Sequence, residues 1–276
     1  MIFRKILFRT FLFAIVMITG FVPVIAGATL QNNSGPPPPI LLYHRFGPTP
    51  VDSMTVTPAT FASHLDYLKS KGYVVIPLRQ IVESRLRNGI VLPDKSAAVV
   101  VDDGHISVFR EMLPIVKKYK IPVTLFIYPS AISNASYAMT WDQLRELRKT
   151  GFFDIQSHTY WHPNFKNERK RLSAPEYEKF VAMQLVKPRT RLEKEFGTRV
   201  DLLAWPFGIY DEYLMAKARE AGYVAAFTIE GDREHQFDNP MKIPRYLLSE
   251  ADKGKRFERI LNGHAEQRLA GRNAGH

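Results

Sequence analysis

Ala97-Ala98-Val99-Val100-Val101-Asp102-Asp103-Gly104 is the stretch on which the fold turns. Five small or β-branched apolar residues in a row are too few for a stable helix. They also lack the polar alternation of a strand with one wet face. The run therefore reads as a strand buried on both sides, the kind found in a parallel sheet covered by helices. Asp-Asp-Gly is turn vocabulary, so the chain leaves the sheet at Asp102.

Similar runs lie on either side of it. Ile40 to Tyr43, Val74 to Ile76, Val123 to Ile127, Phe153 to Gln156, Leu202 to Trp205, Val224 to Thr228 and Ile243 to Tyr246 are further strand candidates. Helical patterns separate them. Thr57-Pro58 opens one, with Phe61, Leu65 and Leu68 on a single face and Gly72 closing it. A second covers Ile81 to Leu86. Val108, Met112, Ile115, Val116 and Tyr119 have helical spacing, and Pro114 predicts a kink or a shortening there. Trp141 to Lys149 reads as a helix stopped by Gly151. Ser173-Ala174-Pro175-Glu176 is a capping box opening a helix that reaches Phe196, and Tyr213 to Ala221 is the last of the set. Strands alternating with helices predict an α/β fold over residues 40–252. At this size the expectation is a (β/α) barrel, incomplete or distorted, with seven to eight parallel strands. Residues 253–276 read as a polar tail. No glycine-rich dinucleotide turn or phosphate loop is present.

The N-terminus speaks to destination. Arg4, Lys5 and Arg9 precede an apolar run from Phe11 to Ile25, and Ala26-Gly27-Ala28 offers a small-x-small cleavage site. Residues 1–28 are therefore expected to be a secretory signal peptide, with a secreted or periplasmic product. An uncleaved membrane anchor is the alternative, since the apolar stretch approaches spanning length. Residues 29–39 form a linker ending in four prolines. The formal net charge of +11 falls to +8 once Arg4, Lys5 and Arg9 leave with the signal. That excess suits peripheral contact with an anionic envelope surface, while the export address argues against nucleic acid as a partner. No cysteine is present, so neither disulfides nor thiol chemistry enter.

The reactive residues share one position: directly after a strand. His44, Asp102-Asp103, His158 and Trp205-Pro206-Phe207-Gly208 all follow strand candidates, and Arg245 lies within the last one. In a barrel those ends converge on one rim, where catalytic groups sit. The alternation of strand side chains sends Asp102 and Asp103 to different sides of the exit. His158 and His162 stand four apart; on a helical turn that places both imidazoles on one face, able to grip one metal ion. With a strand-end aspartate the set becomes two nitrogens and one oxygen, a catalytic ligand set that keeps a position open. Trp205 and Phe207 either line a groove or pack in the core.

Asp102-Asp103-Gly104 and His158-Thr159-Tyr160-Trp161-His162 resemble the two metal motifs of the polysaccharide deacetylases with NodB homology (carbohydrate esterase family four). The likeness extends to Leu42-Tyr43-His44, Trp205-Pro206-Phe207-Gly208-x-Tyr210, Ala221-Gly222-Tyr223 and Ala226-Phe227-Thr228, features similar to the branch acting on exported N-acetylglucosamine polymers. The resemblance implies metal-dependent N-deacetylation of a polysaccharide. It implies Asp102 as general base, and Asp103, His158 and His162 as ligands of one divalent ion, usually zinc. Trp205, Phe207 and Arg245 are the expected substrate-side residues. Two features depart from the family. Leu203-Ala204-Trp205 stands where many members carry an arginine, a partner for Asp102 that Arg245 is placed to replace. The late Leu-x-His that supplies the general acid is missing, and His44 is the preferred substitute over His105 and His264.

Overall fold

The computed structural model describes residues 37–86, 90–231 and 238–263. The signal segment, most of the proline linker and His264 lie outside the described residues. In chain order the elements are β1 (Ile40–Tyr43), β2 (Arg45–Phe46), β3 (Thr55–Val56), α1 (Pro58–Ser70), β4 (Val74–Val75), α2 (Leu78–Leu86) and β5 (Ser96–Asp102). Then come α3 (Leu113–Tyr119), β6 (Val123–Ile127), α4 (Trp141–Lys149), β7 (Phe153–Ser157), α5 (Phe165–Arg171) and α6 (Ala174–Phe196). The last are β8 (Leu202–Ala204), α7 (Glu212–Glu220), β9 (Ala225–Phe227), β10 (Tyr246–Leu247) and α8 (Lys255–Leu261).

The main sheet is wholly parallel, in the order β10-β1-β5-β6-β7-β8-β9, with β4 paired to the start of β5. β2 and β3 make a separate parallel pair. The segment from 243 to 247 touches both ends of the main sheet. Tyr246 and Leu247 pair with Leu41 and Leu42, and Ile243 exchanges backbone hydrogen bonds with Ala226 and Thr228 at 2.8 Å each. One bridge thus joins the two ends, giving an incomplete barrel as the sequence predicts.

Period-2 alternation separates the inward strand residues from the outward ones, and the outward ones fall into two clusters, the second holding Leu203 of β8 and Ala226 of β9. Leu41, Tyr43, Val99, Val101, Leu125 and Ile155 pack outward with α1, α3 and α4 residues. Ile40, Leu42, Ala98, Val100, Phe126, Ala204, Phe227 and Ile243 pack with one another in the interior. Continuing the inward register one step past the apolar layer brings His44, Asp102, His158 and Arg245 to the rim. The alternation that builds the core also aims the reactive groups.

Local signals are met in most places. Thr57 caps α1 by accepting from the Thr60 N–H, and the boxes at Thr140 and Ser173 are both formed. Pro114 acts as expected: a single π turn over residues 108–112 precedes α3, and the Leu113 N–H bonds to the Val108 carbonyl. α8 lies in the segment read as a polar tail, yet it buries Phe257, Ile260 and Leu261, and Phe257 stacks on His64 at 4.1 Å. His64, which gives no signal in the sequence, is itself buried between Tyr43 and the Asp252 carbonyl. Among the described residues no helix is long and apolar enough to cross a membrane.

Candidate active site

The turn after β5 is strained. Asp103 and Gly104 both sit at φ of 75°. A side chain at 104 would be strained at that φ, and its Cβ would lie 2.9 Å from Ile127 Cδ1, which would have to give way. Holding a non-glycine residue there costs about 1–3 kcal/mol. The return is that Asp103 turns over the rim while Asp102 stays on the inward register.

Asp102 is clamped. Arg245 donates from Nη1 to Oδ1 at 2.7 Å and from Nη2 to Oδ2 at 2.8 Å, while its Nε donates to the Thr228 carbonyl at 2.9 Å. Its guanidinium lies 5.3 Å from the Phe126 ring centroid. Burial opposes ionisation of Asp102, but the Arg245 charge and its hydrogen bonds prevail and hold the carboxyl down at about 2. For Asp103 burial dominates and raises the pKa. Adjacent and chemically identical, the two carboxylates have been given opposite environments.

His158 Nδ1 is 2.8 Å from the Ala204 carbonyl. A carbonyl only accepts, so Nδ1 carries the proton and Nε2 presents its lone pair to the site. That nitrogen is 3.6 Å from Asp103 Oδ1 and 3.7 Å from Asp102 Oδ2. His162 Nε2 is 3.7 Å from Asp103 Oδ1. Burial drives His158 down to about 3 and His162 down to about 4, so both rings are neutral near pH 7. The residues do not share a helical turn, however. Thr159 and His162 have φ of 63° and 60°, and the segment is an irregular loop. What shapes it is Gln184 of α6, wholly buried, whose Oε1 accepts from the Tyr160 and Trp161 N–H groups at 3.1 Å each.

Asp103, His158 and His162 offer donor atoms within 4.8 Å of one another. Two neutral imidazole nitrogens and a carboxylate oxygen, one imidazole fixed by its second nitrogen, fit a divalent cation with zinc-like preferences. The remaining expected residues divide. His44 is buried on the inward register, its Nδ1 has no hydrogen-bond partner among the described residues, and burial lowers its pKa against the pull of both aspartates. Phe207, at φ 57° and half exposed, stands with its ring 4.5 Å from that of His162. Trp205 is fully enclosed, its Nε1 donating to the Met241 carbonyl at 2.8 Å, so its indole is core and not groove wall. Arg245 is equally enclosed and touches Asp102, which removes it from substrate contact. His105 hydrogen-bonds Ser107 and stacks on Tyr137.

Three positions escape the sequence reading. Gln184 is one polar residue among many on a long helix, and nothing marks it. Tyr128 and Tyr137 share a hydrogen bond of 2.8 Å, with the Tyr128 ring 5.4 Å from His162; only the location of Tyr128 after β6 hints at it.

Residues 90–226 match the family profile described as polysaccharide deacetylase. The chain carries a polysaccharide deacetylase domain. A poly-beta-1,6-N-acetyl-D-glucosamine N-deacetylase of Staphylococcus aureus (strain MRSA252) is 24% identical to it over 204 residues, which are 72% of this chain and 70% of the relative. The deacetylase PplD of Streptococcus pyogenes superposes with a TM-score of 0.72 at 18% identity, over 81% of this chain and 97% of that one. IcaB of Ammonifex degensii superposes with a TM-score of 0.70 at 25% identity, over 84% and 98%. The profile stops short of His44, which follows β1, and of Arg245 in the closing segment, both on the same rim.

Proposed function

We propose that this chain hydrolyses N-acetyl groups from an N-acetylglucosamine-containing polysaccharide, releasing acetate, with one divalent ion held by Asp103, His158 and His162. The observation that carries the reading is the three-donor cluster beside an ionised, arginine-clamped carboxylate on one barrel rim. The similarity to a poly-beta-1,6-N-acetyl-D-glucosamine N-deacetylase supports the polymer class. When bound, the ion supplies a polarised carbonyl and an acidified water.

This chain's own residues do the rest. Asp102, kept ionised by Arg245, is the acceptor for a proton from the attacking water. The same clamp lowers the basicity of Asp102, so it keeps the acceptor ionised at the expense of its proton affinity. The leaving amine needs a proton, and His44 is the remaining titratable ring on the inward register. Phe207 offers an exposed ring to a sugar face beside His162. Export by residues 1–28 puts the enzyme in the envelope, where the net charge of +8 left after their removal favours anionic surfaces.

Acetate release from poly-N-acetylglucosamine, peptidoglycan and chitin oligomers, each with and without chelator, tests the proposal. Release from the first that chelator abolishes and zinc restores is expected. Release that chelator leaves untouched, or none from any polymer with the ion bound, would overturn it.

A further inference from the structure

A second cavity, of about 280 Å³, opens on the same rim one strand away from the three-donor cluster. Pro129, Ser130 and Asn134 from the loop after β6 form one wall, and Tyr160 from the loop after β7 forms another. Trp141 of α4 and Lys187 and Arg191 of α6 complete it. None of these seven is Asp102, Asp103, His44, His158 or His162.

Its composition is selective. The lining holds two cations and no carboxylate. Lys187 and Arg191 are one helical turn apart and point the same way. Lys187 Nζ lies 4.0 Å from the Tyr160 ring centroid and the Arg191 guanidinium 4.3 Å from that of Trp141, so each charge is parked over an aromatic face. Arg191 pairs with Glu195 at 3.1 Å from outside the lining, and Glu195 is shared with Arg145, which also pairs with Asp142. Lys187 makes no ion pair among the described residues. Asn134 Nδ2 donates to the Ser130 carbonyl, and the Ser130 hydroxyl has no partner among those residues. Two pre-positioned cations, a free hydroxyl and aromatic edges, in a space near the lower end for small-ligand pockets, suit a charged polyol.

We infer that this cavity binds an anionic sugar unit, its carboxylate or phosphate between Lys187 and Arg191 and its ring against Tyr160 and Trp141. The site is close to the first one without being part of it. Tyr160 lies between His158 and His162 in sequence, its N–H is held by Gln184, and its carbonyl accepts from Ser130 N–H at 3.1 Å. The inference stands independently of the deacetylase reading, since binding here is measured without turnover.

The test is calorimetric titration of zinc-loaded protein with glucuronate, glucose 6-phosphate, inorganic phosphate and neutral N-acetylglucosamine. At least one charged sugar should bind about tenfold tighter than the neutral one, and salt should weaken it. Glucuronate and glucose 6-phosphate separate a carboxylate ligand from a phosphate ligand. The Lys187→Gln/Arg191→Gln variant, altered only at the surface, should lose about tenfold in that affinity with metal content and circular dichroism unchanged. Equal affinity for charged and neutral sugars, or no saturation at roughly 10 mM, would overturn the inference. So would binding that survives the double variant but disappears in His158→Ala, which would assign the anion to the ion instead. Tighter binding of inorganic phosphate than of either sugar would overturn the sugar part.

Discussion

The turn after β5 and the loop after β7 meet at the same three-donor cluster, yet they are held there by different forces. The first is held by charge: Asp102 and Arg245 are both buried, and each satisfies the other through two short hydrogen bonds. The second is held by a neutral amide, with Gln184 accepting two backbone N–H groups. Charge in a low-dielectric interior is an all-or-none device, because either partner alone is strongly destabilising. A neutral amide is graded: removing it costs the hydrogen bonds it makes and leaves the loop free to find water.

The largest expected effect breaks the charged side. Arg245→Met leaves Asp102 buried without a counter-charge and should cost about 3–5 kcal/mol in chemical denaturation. A loss below about 1 kcal/mol would show that the two turns are held alike.

Next, the neighbouring aspartates should separate. Asp102→Asn should retain the ion and lose roughly two to four orders of magnitude in acetate release. Asp103→Asn should lose the ion itself, by metal analysis. If Asp102→Asn empties the site and Asp103→Asn does not, the roles are reversed.

On the neutral side, Gln184→Leu should cost about 1–3 kcal/mol and weaken metal binding by roughly ten- to a hundredfold while the fold persists. Competitive chelation measures this directly, and unchanged affinity would mean the loop needs no support from α6.

Acid sharpens the same contrast at a distance from the rim. Glu250 accepts from the Thr57 N–H and Thr60 hydroxyl and pairs with Lys253. Burial pushes its carboxyl up, but these partners win and lower it to about 2. A depressed folded pKa gives stability that is full above the unfolded value of about 4.3 and lost as pH falls toward 2. The Tm gap between wild type and Glu250→Gln should therefore be flat at neutral pH and close in acid; a gap that widens in acid contradicts the assignment. Smallest of all is Phe207→Ala, expected to raise KM for polymer with stability within about 0.5 kcal/mol, since its ring is half exposed.

Much of this was legible in the sequence, for a definite reason. The apolar runs were long and clean enough to show strands, and the reactive residues followed them directly, so a barrel topology placed them on one rim without any contact being known. The capping box at Ser173 and the disturbance at Pro114 are local events, and local chemistry reads well. What failed was non-local. His158 and His162 suggested a helical turn, but Thr159 and His162 take positive φ, and the two residues between them are bonded to Gln184 of another element. Trp205 looked like a sugar platform because its burial depends on Met241 and on how β8 and β9 meet. Arg245 was placed correctly opposite Asp102 as an alternative, yet its full enclosure, which bars it from substrate, is a property of the closed sheet.

The closing segment has a consequence in time as well as space. Ile243 joins the sheet ends and Arg245, two residues on, neutralises Asp102. Both are made after every other strand except β10. A growing chain therefore holds Asp103, His158 and His162 before it holds the guanidinium that neutralises Asp102. The bridge that joins the sheet ends and the charge that pairs Asp102 arrive on the same three residues, and a chain stopped short of Ile243 has neither.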